Sequence, residues 1–355
     1  MPAPAPPDDV PGTPFDSLHD ADAPAASPDP AAEYVAMIKE VADKLLADRA
    51  APGDVKLLAH ALRELRHCLR VFKDYRGVRK VTVFGSARTP ADHPAHLAAV
   101  EFGRLVAAAG WMVITGAASG IMEAGHVGAG REKSFGLSIM LPFESSANAV
   151  IHGDRKLMNM RYFFTRKLML IKESDAVVLF PGGFGTHDEA FEALTLIQTG
   201  KSHLFPIVMV DEPGGTYWHR WQDFVRDDLL ARGYISPADL SLYRITDDPA
   251  EAVREVTQFY RVYHSLRYVR GDLVLRLRRP LTEATLATIR ADFADLLAAG
   301  DFEPTTALPQ EANEPALAGL PRLRFRGVRN EQGRLRQLID RINLDKGVEE
   351  ISANS

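Results

Sequence analysis

Residues 175–201 read DAVVLFPGGFGTHDEAFEALTLIQTGK. A short apolar run bounded by Pro181 passes through Gly182, Gly183 and Gly185 and continues as a helical pattern, so the stretch reads as strand, glycine loop, helix. The same unit recurs outward in both directions. Apolar runs at 79–84, 111–115, 135–141, 205–210 and 241–245 alternate with helical stretches at 94–109, 120–131, 160–173, 186–199, 217–231 and 248–262. Strands alternating with helices of this length require parallel crossovers, which predicts an α/β protein with a Rossmann-like, doubly wound parallel sheet. In such a sheet ligands bind beyond the carboxyl ends of the strands, so the chemistry belongs in the loops that follow them.

The flanks differ from this core. Residues 1–30 carry nine of the 23 prolines and six aspartates with no lysine or arginine, and are expected to be a disordered tail. Residues 31–77 are expected to form helices at 31–50 and 54–75, parted by Pro52-Gly53. The α/β domain is placed at 78–262. Residues 263–355 are expected to form a small C-terminal α+β appendage of β-α-β-α order, its helix at 281–299 and its arginines on solvated faces.

Composition narrows the class of function. The chain has 355 residues, 46% hydrophobic and 25% charged, proportions of a globular protein. Its net charge of −5 is concentrated in the acidic tail, so the body lacks the basic excess of a nucleic-acid binder, and no nucleic acid is expected as partner. No apolar run is long enough to span a bilayer and no secretory leader is evident; a cytoplasmic protein without a membrane partner is expected. The single cysteine, Cys68, rules out an intrachain disulfide and reads as a small buried apolar residue. Neither a metal nor a cofactor is called for by any His, Cys or carboxylate spacing. The first-turn residue His187 is expected to be exposed.

Three strand ends carry glycine loops: Gly85-Ser86-Ala87-Arg88, Gly116-Ala117-Ala118-Ser119-Gly120 leading into Ile121-Met122, and Pro181-Gly182-Gly183-Phe184-Gly185-Thr186. Glycines admit a ligand close to the backbone, and a helix N-terminus offers free N–H groups to an anion. None of the loops fits G-x-x-x-x-G-K-[ST] or the dinucleotide fingerprint, so a monophosphate suits them best. Glu189, three residues after Thr186, has two readings: the far end of a T-x-x-E capping box, or a catalytic carboxylate. Arg166 and Lys167 stand on the preceding helix among apolar residues.

These segments resemble the Lonely Guy (LOG) family, cytokinin riboside 5′-monophosphate phosphoribohydrolases and related nucleotide nucleosidases. The match runs over about 78–262: PGGFGTHDE fits the family's PGGxGTxxE, FFTRK its Arg-Lys segment, and VTVFGSAR and GAASGIMEAG its earlier loops. Phe164-Thr165 stands where Met-His is common, and Ala117-Ala118 where many members carry glycines. Members are also often labelled lysine decarboxylases, but no sequence context for a pyridoxal phosphate lysine is present.

The resemblance implies hydrolysis of a nucleoside 5′-monophosphate, AMP or a cytokinin ribotide, to free base and ribose 5-phosphate. Backbone amides of Gly182, Gly183, Gly185 and Thr186 would hold the phosphate. Glu189 would face the ribose, with Arg166 fixing the geometry. Gly85, Ser86, Gly116, Ser119, Gly120, Met122 and Lys167 would complete the nucleotide site. A non-catalytic nucleotide or cofactor carrier of the same fold is the alternative. A homodimer or an assembly of dimers is expected, since the helix at 160–173 is apolar around more than one face and the family pairs beside it.

Overall fold

The computed structural model describes residues 30–140, 147–328 and 331–347. Residues 1–29 of the expected tail and the end of the run at 135–141 lie outside the described residues, while Pro30 opens a helix. Two compact units are present, one of residues 30–195 and 205–260, the other of 196–204 and 261–347.

The larger unit begins with helices α1 (Pro30–Ala47) and α2 (Pro52–Phe72). It continues β1 (Lys80–Phe84), α3 (Pro94–Ala108), β2 (Met112–Thr115), α4 (Ile121–Ala129), β3 (Ser134–Ile139), β4 (Leu157–Met160), α5 (Phe163–Lys172) and β5 (Ala176–Leu179). Then come α6 (Phe184–Gln198), β6 (Ile207–Val210), α7 (Tyr217–Phe224), β7 (Tyr243–Thr246) and α8 (Pro249–Gln258). The seven strands form one parallel sheet in the order β4-β3-β2-β1-β5-β6-β7. This is the expected Rossmann-like fold. Every residue of β1, β2, β5 and β6 is buried, as a sheet covered on both faces requires.

Strand order reverses between β1 and β5, where the chain returns from the β4 edge through α5. The two strands run in register, Phe84 beside Leu179, so the loops after them emerge at one level. That crevice is the topological switch point. Helix α2 holds α5 in place: Glu64 accepts the Arg161 amide at 2.9 Å and the Thr165 hydroxyl at 2.8 Å. Cys68 is buried against the Met160 sulfur, and burial pushes its thiol up to about 12, so it packs as an apolar residue. Strand β4 takes Met160 out of the helix expected at 160–173. With only four residues, directly before a helix, it leaves no separate trace in the apolar pattern.

The smaller unit holds β8 (Tyr263–Val269), β9 (Asp272–Leu277), α9 (Glu283–Asp292), β10 (Leu297–Thr305), β11 (Arg322–Gly327) and α10 (Gln332–Asn343). Its antiparallel sheet has the order β10-β11-β9-β8, so the appendage is β-β-α-β-β-α and the expected β-α-β-α order is corrected. Irregular pairing hides both missed strands. Register breaks between Tyr263 and Ser265 in β8 and twice in β10, which erases the alternation that marks a strand. The helix expected at 281–299 accordingly ends at Asp292.

The expectation of arginines on solvated faces holds at Arg290 and Arg326 but is corrected at others. Arg267, Arg276 and Arg322 are buried, because carboxylates come in with them: Arg276 bonds Glu311 at 2.8 Å, Arg322 bonds Glu311 at 3.2 Å, and Arg267 bonds Glu314 at 2.7 Å. Buried charges survive only when paired in this way. Among the described residues no helix is long and apolar enough to cross a membrane.

Candidate functional site

The loop after β1 is wedged between the other two glycine loops. Its Ser86 amide donates to Pro181 O at 3.1 Å on one side, while Ser86 O accepts the Ile121 amide at 3.0 Å on the other. Ser119 Oγ donates to Ala87 O at 2.9 Å, and the Ser86 hydroxyl accepts the Arg88 amide at 3.1 Å. Gly120 has φ +65°, and a Cβ there would run into Ser86 O and Ala87, so only glycine closes this contact. Gly85 packs as tightly on Ile121, and Gly182 on the Thr186 side chain and Ser86 amide. Loop packing leaves no room for a side chain at these three positions.

Gly183 and Gly185 are different. Neither adopts a left-handed φ, and a Cβ on either would meet no atom of the described residues within 4 Å. The fold does not require glycine at these two positions, and its presence leaves the backbone open to a ligand. They sit at the start of α6, where first-turn amides have no intrahelical acceptor. The Thr186 amide is an exception: it donates to Gly183 O at 3.0 Å. The expected phosphate contact through this amide is therefore corrected, its hydrogen being taken up by the turn that starts the helix.

Helix α6 begins at Phe184, two residues before Thr186, so Thr186 lies inside the first turn and not at its cap. The capping-box reading of Glu189 fails on that geometry. Glu189 is buried, 6% exposed, and among the described residues its Oε2 has no hydrogen-bond partner. Burial pushes its carboxyl up to about 7, against the opposing pull of Lys167 and Arg166, while Glu192 and Asp188 add to the rise. A carboxyl poised near neutrality suits proton transfer.

Both cations come from α5. Arg166 donates through Nε to Leu137 O at 2.8 Å, which aims its guanidinium across the second loop. A Cβ on Gly116 would collide with that guanidinium and with Met122 Sδ, so Gly116, Met122 and Arg166 meet at one point. Lys167 turns to α6, pairing with Asp188 at 2.9 Å and with Glu192. The expected nucleotide residue Lys167 is thus engaged with carboxylates next to Glu189.

The second loop has a buried brace. Ala117 is held at φ +63°, and its amide donates to Thr115 Oγ1 at 2.9 Å. Asn148 Nδ2 donates to Ala117 O and Ala118 O, both at 3.1 Å, and pairs with His126, itself fully buried beside Thr115 and Phe135 O. Sequence reading missed Asn148, His126 and Tyr217. His187 is half-buried and hydrogen-bonded to Tyr217, contrary to the exposed position expected for it. Only a solitary histidine beside Thr186 hinted at that contact.

Residues 116–256 match the family model described as "Possible lysine decarboxylase". A probable cytokinin riboside 5′-monophosphate phosphoribohydrolase of Oryza sativa subsp. japonica is 29% identical over 99 residues, 28% of this chain and 44% of that protein, less than half its length. A solved structure, the molybdenum cofactor carrier protein of Chlamydomonas reinhardtii, aligns with a TM-score of 0.36 at 22% identity, covering 51% of this chain and 97% of that one. The cytokinin riboside 5′-monophosphate phosphoribohydrolase of Mycobacterium tuberculosis is 31% identical over 164 residues, 44% of this chain and 82% of that protein. On that extent of likeness, the chain belongs to the cytokinin riboside 5′-monophosphate phosphoribohydrolase family.

Proposed function

We propose that the protein hydrolyses the N-glycosidic bond of nucleoside 5′-monophosphates, with AMP and cytokinin ribotides as substrates, releasing free base and ribose 5-phosphate. The observation that carries this reading is Glu189: a buried carboxyl with one oxygen that has no partner among the described residues, poised near neutrality beside Arg166 and one turn below an open glycine loop. A carrier needs the loops but has no use for such a carboxyl, which favours the enzyme.

In the reaction the amides of Gly182, Gly183 and Gly185 hold the 5′-phosphate at the N-terminus of α6. That grip fixes the sugar, and positioning of this kind contributes up to about 7–11 kcal/mol in favourable cases. Ionised Glu189 stabilises the oxocarbenium-like ribose and takes a proton from water as the water oxygen bonds to the anomeric carbon. The bond from that carbon to the base breaks, its electron pair leaves with the base nitrogen, and the nitrogen takes a proton from solvent, to which Glu189 returns the proton it took. Arg166, held by Leu137 O, orients Glu189 and the ribose hydroxyls.

The reading extends to assembly and place. Phe163 and Phe164 of α5, Phe184 and Phe191 of α6, and Tyr34, Ile38 and Val41 of α1 are exposed. Apolar surface on α5 and α6, which carry the site residues, and on α1 supports a homodimer or an assembly of dimers. Nucleoside monophosphates are charged and do not cross membranes unaided, which supports a cytoplasmic reaction.

Incubating the purified protein with AMP and, separately, with adenosine tests the proposal. Adenine and ribose 5-phosphate should appear from AMP with a kcat/KM at least a hundredfold above that for adenosine. Equal rates would remove the phosphate role of the third loop, and no base release from any nucleotide would overturn the reading.

A further inference from the structure

We infer that Tyr217 is a positioning residue for the substrate phosphate: its hydroxyl, backed by His187, locks the Gly182–Gly183 peptide so that the Gly183 N–H faces the ligand. The inference rests on the nucleotide reading above and adds a residue outside the family's motifs.

The geometry runs through three atoms. The Tyr217 hydroxyl donates to Gly182 O at 2.5 Å, and His187 Nε2 lies 2.6 Å from the same phenol oxygen. A carbonyl can only accept, so the phenol proton points to Gly182 and His187 must donate its Nε2–H to the phenol oxygen. The peptide from Gly182 to Gly183 is trans, as are all those described, so its N–H points opposite to its C=O. Anchoring the carbonyl on Tyr217 therefore turns the Gly183 N–H to the other side of the peptide, and a Cβ on Gly183 would meet no atom of the described residues within 4 Å. A glycine pair is the segment most free to flip its shared peptide, and this hydrogen bond is what a flip would break.

Tyr217 is itself held firmly. It opens α7, whose first turn is tied down where Asp211 Oδ2 accepts the Trp218 amide at 3.1 Å. Trp218 is fully buried, packed edge-on against Tyr217 at 4.9 Å and against His187 at 5.7 Å between ring centroids. Burial lowers the His187 imidazole and raises the Tyr217 phenol from their usual values, so both keep the neutral forms that the chain of donors needs near pH 7.

The test compares Tyr217→Phe with wild type by calorimetric binding of ribose 5-phosphate and of ribose, and by AMP kinetics. Loss of one hydrogen bond that orients a phosphate donor should weaken ribose 5-phosphate and raise the AMP KM by about tenfold, leaving ribose binding and kcat within twofold. His187→Leu should weaken phosphate binding severalfold in the same sense, and His187→Gln, which keeps an N–H donor, should restore it. The pair also serves should Tyr217→Phe fold poorly. If both Tyr217→Phe and His187→Leu keep the wild-type preference for ribose 5-phosphate over ribose and lose only thermal stability, the inference is overturned and the nucleotide reading stands. A wild-type protein that binds ribose as tightly as ribose 5-phosphate overturns the phosphate reading, and this inference with it.

Discussion

Glu189 carries a cost that its position makes measurable. Its carboxyl titrates near 7 in the folded chain against an ordinary value of 4.5, because burial opposes its charge more than Arg166 and Lys167 favour it. Between those two values the folded state holds the proton more tightly than the unfolded chain, so stability falls as pH rises through that window. Glu189→Gln removes the penalty, and at pH 8 the variant should be more stable than wild type by about 1–3 kcal/mol, a gain that vanishes below pH 4. Denaturant titration at the two pH values checks this. A variant less stable than wild type at pH 8 would mean that the side chain serves the fold. The T-x-x-E spacing made Glu189 legible in the sequence but not its role, which turned on whether α6 starts at Thr186 or two residues earlier. Tyr217 was illegible because it lies 30 residues downstream of His187 and touches the loop only through tertiary packing.

At the scale of elements, α5 and the second loop work as a pair. Helix α5 crosses back to the switch point, and Arg166 reaches over Gly116, whose missing side chain is the space the guanidinium occupies. Gly116 is not left-handed, and the groups a Cβ would meet, the ends of Arg166 and Met122, are flexible. Gly116→Ala should therefore leave the melting temperature within about 2 °C while lowering AMP turnover at least tenfold, because it displaces Arg166. Thermal melting beside steady-state rates separates this from general destabilisation. A turnover unchanged by the substitution would take Arg166 out of the chemistry. Parallel strands β1, β2, β5 and β6 were legible since burial on both faces makes them uniform apolar runs, whereas β4, with four residues directly before a helix, was not. Strands β8 and β10 were not, because bulges let residues such as Arg267 and Gly300 fall where alternation demands otherwise. Buried arginines escaped for a related reason: pairing with Glu311 and Glu314 depends on a segment that has no periodicity of its own.

For the molecule as a whole, the exposed aromatic residues of α5 and α6 lie on helices that also carry Arg166, Lys167 and Glu189. Phe184 is 96% exposed between two glycines, a costly place for an aromatic ring in a lone chain. Light scattering on the full-length protein should give about twice the 39.1 kDa chain mass, or a multiple of that, across micromolar concentrations. A mass near one chain would contradict the dimer. The catalytic claim is tested most directly by the kcat of Glu189→Gln on saturating AMP, with ribose 5-phosphate affinity measured on the same preparation. Affinity should stay within a fewfold of wild type while kcat falls by about 10²–10⁴. A variant that turns over AMP within a fewfold of wild type would contradict the account.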